Sequence, residues 1–124
     1  MLFCCIQPSE KDFHENFTCF AAFAANKASL GRNALRVLTY HDVVEGKVPG
    51  QTDTPTVSRS KLIEHFDWLK NNGYTPVSWR QIKEAEAGKG SLPEKPVLLT
   101  FDDGYLSFYQ TVFPLLQQYR YPAV

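Results

Sequence analysis

The chain has 124 residues, 44% of them hydrophobic and 21% charged, and its 13 Lys and Arg balance its 13 Asp and Glu. That composition describes a folded globular chain and excludes a disordered or collagenous one; zero net charge offers no electrostatic footing for nucleic acid or an acidic membrane surface. One domain is the ceiling at this length, and no stretch approaches the ~20 apolar residues of a membrane-spanning helix.

Residues 1–33 read as a leader or unassigned segment. Its apolar run, from Phe17 to Ala24, contains Ala22-Phe23-Ala24, which has the small-x-small form of a signal-peptidase site. Glu10, Asp12 and Glu15 precede that run, where a signal peptide wants positive charge, so the segment is only signal-like. Cys4, Cys5 and Cys19 all fall here without a C-x-x-C pair, which argues against a zinc finger and against a disulfide framework.

From Ala34 onward the pattern is regular. Residues 35–40 form a β-rich run ending at His41-Asp42. The stretch 43–57, with Gly46, Pro49, Gly50 and Pro55, has loop chemistry and is long for a connection. A helix follows, capped by Ser58 or Ser60, with Leu62, Phe66 and Leu69 on one face and Gly73 closing it. Thr75-Pro76-Val77 reads as a short strand. Ser78-Trp79-Arg80-Gln81 has capping-box form, which predicts a second helix to about Ala87.

Residues 97–101 are a continuous apolar run, suited to the middle of a parallel sheet. A helix over 107–119 is expected next, with Pro114 in its first turn or at a kink. Tyr121-Pro122-Ala123-Val124 looks like the start of another strand. Strand and helix alternate three times, the signature of an α/β fold. A closed α/β barrel takes roughly 200 residues or more, so the chain reads as truncated.

The chemistry is concentrated in Leu99-Thr100-Phe101-Asp102-Asp103-Gly104-Tyr105. Asp102 and Asp103 are adjacent carboxylates at the tip of a buried strand, the edge where α/β proteins place their sites. Burying two charges there is costly unless a cation or hydrogen bonds compensate. Gly104 allows a sharp backbone turn that lets both side chains converge. Such a pair divides labour when one carboxylate binds a divalent cation and its neighbour takes a proton from water. The competing reading has Asp102 capping the next helix and Asp103 solvated in a turn. The D-D-G run alone does not decide between them; it lacks the spacing of aspartyl phosphotransferases and of calcium loops.

Thr100-Phe101-Asp102-Asp103-Gly104-Tyr105 resembles the first motif of the polysaccharide deacetylases, carbohydrate esterase family 4, with NodB-type domains. Tyr40-His41-Asp42-Val43, Phe66-Asp67-Trp68-Leu69 and Asn72-Gly73-Tyr74-Thr75-Pro76-Val77-Ser78 are similar to the poly-β-1,6-N-acetyl-D-glucosamine N-deacetylases of bacterial biofilm export. The stretches 92–97, 107–109, 112–114 and 121–124 extend the likeness, which covers 37–124 and is absent from 1–33.

The resemblance implies an incomplete (β/α) barrel of the polysaccharide deacetylase type, truncated at about the fourth strand, with 34–124 as the amino-terminal part of the domain. It implies metal-dependent hydrolysis of N-acetyl groups on poly-β-1,6-N-acetyl-D-glucosamine. Asp102 matches the family's general base and Asp103 its metal ligand. Two histidines of a later H-x-x-x-H motif would complete the metal shell, and a later His would act as acid. His14, His41 and His65 contain no pair four apart, so the fragment alone is expected to be inactive.

His41, Asp42 and Tyr105 read as the wall of the substrate site, against a satisfied core histidine, a turn cap and a core aromatic. Tyr109 reads as a stacking or core residue, His65 as a partly buried helix residue, and Trp68 and Trp79 as packing. The metal is a divalent ion, since zinc, nickel, cobalt and iron all accept Asp with imidazoles. The resemblance also implies a polysaccharide substrate, a periplasmic or cell-envelope location, and envelope export machinery as partner. The alternatives are a chitin or peptidoglycan deacetylase of the same family, or a non-catalytic carbohydrate-binding remnant.

Overall fold

The computed structural model describes residues 4–6, 34–48, 50 and 54–124. The signal-like run at 17–24 lies outside the described residues. Four parallel strands form the main sheet in the order β1 (Cys4–Ile6), β2 (Arg36–Tyr40), β6 (Pro96–Phe101), β5 (Thr75–Pro76). Thus three residues of the segment read as a leader pair in parallel with β2, Cys4 facing Arg36. The apolar run expected at the centre is β6, flanked by β2 and β5 and in register with β2 from Arg36↔Val97 to Tyr40↔Phe101.

The order of the strands fixes where the helices go. From β2 to β5 the chain moves two places along the sheet, and from β5 to β6 it moves one place back. Right-handed crossovers in opposite directions put their helices on opposite faces. Accordingly, α1 (Arg59–Asn71) and α3 (Phe113–Tyr119) pack through Leu62, Phe66, Leu69, Leu115 and Leu116 on the face carrying Leu38, Tyr40, Val97 and Leu99. The single buried residue of α2 (Trp79–Glu86), Ile82, packs with Val77 against the opposite face, on Leu35, Val37 and Leu98. Alternating side chains of β2 and β6 therefore feed two separate apolar clusters.

Both predicted caps form. Ser58 accepts the Lys61 N–H at the start of α1, and Gly73 follows the helix at φ +73°. Ser78 accepts the Gln81 N–H while Gln81 Oε1 accepts the Ser78 N–H, so the capping box of α2 is complete.

Two stretches depart from expectation. Inside the expected loop 43–57, β3 (Asp42–Val44) and β4 (Thr56–Ser58) pair in parallel, burying Val43 and Val57 in the α1 cluster. The helix expected over 107–119 is interrupted by a π-helical turn, Phe108–Val112, in which Phe113 N–H donates to Phe108 O. Pro114 stands in the first turn of α3. It has no N–H to give, so the shift in bonding falls where a donor is already missing.

Past α3, Arg120 adopts φ +57° and the chain turns back toward the sheet. Val124 N–H donates to Leu99 O at 2.9 Å, and Phe101 N–H donates to Val124 O at 2.8 Å. Strand-like bonding expected for 121–124 is thus seen at Val124, on the same edge of β6 that β5 occupies lower down. No helix among the described residues is long and apolar enough to cross a membrane.

Candidate active site

β2 and β6 end at the same level, because Tyr40 and Phe101 are register partners and their rings stack at 5.1 Å. One step further, Asp102 N–H donates to Tyr40 O at 2.9 Å. His41 and Asp102 are therefore neighbours at the carboxyl edge, above the Thr100–Thr39 hydroxyl pair at 3.0 Å. The chain then turns through two consecutive left-handed residues, Asp103 at φ +66° and Gly104 at φ +62°. Gly adopts that conformation freely, whereas for Asp it is uncommon and costs energy. Left-handed non-glycine residues gather at functional sites, and this one carries a carboxylate.

Carboxylates at the tip of a buried strand, as Asp102 and Asp103 are, are expected to need compensation for burial. Both residues are instead exposed, so no such desolvation arises within the described residues. The helix-cap alternative for Asp102 is also not what forms. The helical segment begins well past it at Leu106, and no carboxylate caps the π-helical turn.

Asp42 opens β3 and is held by Ser107, whose hydroxyl donates to Asp42 Oδ1 at 2.7 Å and accepts the Val43 N–H at 3.3 Å. Tyr105 OH is 3.1 Å from Thr54 Oγ1, which ties the residue after the acidic turn to the stretch before β4. Thr111 donates to Glu45 at 3.4 Å, and Arg59 lies 3.7 Å from the same carboxylate. The β3–β4 pair thus stands as a second wall beside the acidic turn, bound to it through Ser107, Tyr105 and Thr111.

His41 is half-buried, and its Nδ1 is buried without a hydrogen-bond partner among the described residues. A satisfied core histidine would not leave that nitrogen unpaired. His65, expected to be partly buried, is fully buried and lies 3.2 Å from Tyr40 OH through its Nδ1, remote in role from the acidic turn. Trp68 packs on Tyr74 at 5.4 Å as expected. Trp79 is not a packing residue, being 52% exposed, and Tyr109 is 72% exposed rather than core.

The donor set fits a divalent cation in part. Two exposed carboxylates are hard oxygen donors and His41 Nδ1 is a free imidazole nitrogen, yet no group of three or more His, Cys, Asp or Glu comes together among the described residues. Sequence reasoning missed Ser107, Thr54 and Thr39. Each is a hydroxyl whose partner is 51 or more residues away in number, and no local pattern announces such a bond.

Comparison with known proteins bears on this edge directly. The polysaccharide deacetylase family model matches residues 89–124, which include β6, the acidic turn and α3. The poly-β-1,6-N-acetyl-D-glucosamine N-deacetylase of Escherichia coli K12 is 59% identical over 69 residues, covering 56% of this chain and 10% of that protein. Among solved structures, a de-N-acetylase from Aggregatibacter actinomycetemcomitans superposes with a TM-score of 0.68 and 51% identity, over 72% of this chain and 35% of its own. IcaB from Ammonifex degensii gives a TM-score of 0.61 at 35% identity, over 72% of this chain and 36% of its own. The chain spans about a tenth of the first curated relative and about a third of these structures. The resemblance to polysaccharide deacetylases therefore holds in family model, sequence and fold alike.

Proposed function

We propose that this relative of the polysaccharide deacetylases contributes one half of the active site of a metal-dependent N-deacetylase acting on poly-β-1,6-N-acetyl-D-glucosamine. The observation that carries the proposal is the acidic turn: Asp102 anchored to β2 by its backbone, followed by Asp103 in a left-handed conformation. Support for the substrate comes from the relative's name and from 59% identity to it across the matched residues.

In this reading Asp102 is the general base. Its carboxylate takes the proton from a water that attacks the acetamide carbon, and the acetyl group departs as acetate, leaving the sugar amine. Asp103 is the residue that would hold a divalent cation, zinc, nickel, cobalt or iron, beside it. Such a cation, when bound, supplies Lewis acidity toward the carbonyl oxygen. At φ +66° the backbone of Asp103 leaves the extended course of the strand, so that in this reading the adjacent residues serve different atoms. His41, Asp42 and Tyr105 line the substrate wall, Asp42 and Tyr105 each fixed by the hydroxyls described above. The imidazoles that complete the cation's shell and the acid that protonates the leaving nitrogen come from outside the described residues.

The finer architecture belongs to the same proposal. We read the parallel sheet as the amino-terminal part of a distorted (β/α) barrel, with 34–124 inside the deacetylase domain. We place the protein in the periplasm or cell envelope, delivered by export machinery.

The test uses the full-length protein. Acetate release from a β-1,6-linked N-acetylglucosamine oligomer is expected to vanish in Asp102→Asn with metal content largely kept, and to vanish in Asp103→Ala together with the metal. Equal metal loss in both variants would show the roles to be misassigned. No acetate release by the metal-loaded wild type on this polymer would remove the proposed substrate.

A further inference from the structure

We infer that Ser107 is a positioning residue of this site, acting through Asp42; the inference rests on the deacetylase reading above. Its hydroxyl is used in both directions, donating to Asp42 Oδ1 at 2.7 Å and accepting the Val43 N–H at 3.3 Å. These bonds join parts of the chain far apart in sequence. On one side is the β2–β3 corner, which carries His41 and Asp42. On the other is the helical segment that hangs directly from Asp102, Asp103 and Gly104.

Nothing else described ties the corner to the acidic turn as closely from the helical side. Thr111, four residues after Ser107, repeats the contact one turn on, but only at 3.4 Å and in an exposed position on Glu45. Two hydroxyls four apart, one just before the π-helical turn and one within it, thus face two carboxylates three apart on the β3 side. The first of these bonds is the short one, and it is the one nearest the acidic turn. A hydroxyl donating to a carboxylate at this distance is a charge-assisted bond, stronger than a neutral one and selective in direction. It holds one oxygen of Asp42 in place and fixes the approach of the corner to the turn. A site whose halves shift by about an ångström can lose on the order of 100-fold in rate.

Ser107 touches neither the base nor the residue proposed to hold the cation, so its loss should appear in turnover and not in metal content. In the full-length protein, Ser107→Ala is expected to lower kcat for acetate release from a β-1,6-linked N-acetylglucosamine oligomer by about 10- to 100-fold. KM should stay within about 2-fold and metal content should be unchanged, while Ser107→Thr, which keeps the hydroxyl, restores kcat. Because Ser107 acts through Asp42, adding Ser107→Ala to Asp42→Ala should cost no further activity.

Rates are taken per folded enzyme, well below the melting temperature. If Ser107→Ala does not fold, Ser107→Cys, of similar size and with a far weaker donor, is read by the same criteria. Wild-type kcat in the Ala variant, multiplicative losses in the double variant, or failure of Thr to restore turnover would each overturn the inference while leaving the deacetylase reading intact. An inactive wild type would instead overturn the reading on which it rests.

Discussion

Asp103 occupies φ +66°, where a side chain is normally unwelcome, and nothing else described in the acidic turn explains why an aspartate is kept there. A left-handed non-glycine residue costs about 1–3 kcal/mol, aspartate falling toward the low end. Replacing it by glycine relieves that strain but gives the unfolded chain more freedom, a loss of about 0.5–1 kcal/mol. The two effects nearly cancel. Asp103→Gly is therefore expected to keep its urea midpoint within the equivalent of about 1 kcal/mol of wild type while acetate release is lost. Retained activity would mean the carboxylate is merely a solvated turn residue. The acidic pair itself was legible from its place after a buried run. The conformation was not, because the glycine at 104 offered the obvious site for positive φ and the structure uses both positions. Ser107 was illegible for a different reason: its partner Asp42 is 65 residues away in number, and only the folded chain brings them together.

Elements with a strong local signal are legible in the sequence, and β3, β4 and the π-helical turn, which lack one, are not. α2 has one buried residue, Ile82, and is held at its start by the reciprocal Ser78–Gln81 bonds. A helix this short depends on its cap more than a long amphipathic one does. Ser78→Ala is expected to lower the unfolding free energy by about 1 kcal/mol, and Gln81→Ala added to it should cost less than the sum of the two single changes. Urea titrations at constant m-value check this; an additive pair would show that the bonds do not act as one box. By contrast, β3 and β4 are three residues each and gain their meaning only from pairing with one another across the 43–57 stretch. Their turn-rich surroundings masked them. The π-helical turn was hidden too, since Phe108, Val112 and Leu116 fit an uninterrupted helical period.

Three phenols fasten α1 to the rest of the molecule. Tyr40 of β2 reaches His65 Nδ1 at 3.2 Å, Tyr119 at the end of α3 donates to Asp67 Oδ1 at 2.7 Å, and Tyr121 donates to Phe66 O at 3.3 Å. Phe66 itself is fully buried, with the rings of Tyr119 and Tyr121 edge-on at 5.3 Å. Burial raises the pKa of all three phenols above the usual 10, and that of Tyr119 is pushed up to about 12 by burial first and then by its bond to the Asp67 carboxylate. In each case the folded chain holds the proton more tightly than the unfolded chain does. That stabilisation is complete below about pH 10 and is lost for Tyr119 as pH rises through about 12, weakened by solvent screening because this phenol is only partly buried, while for Tyr40, whose pKa is raised further, the loss continues at higher pH. Unfolding free energy should therefore fall between pH 10 and 12. The decisive comparison is with Tyr119→Phe, which lacks the phenol that Asp67 opposes. Its neutral-pH stability should drop by about 0.5–1 kcal/mol for the lost bond, since the exposed Asp67 carboxylate takes water instead, and its decline above pH 10 should be shallower than that of wild type. Urea unfolding at pH 8, 10, 11 and 12 separates the two effects. Parallel pH profiles for wild type and variant would mean that the phenols bind α1 by packing alone.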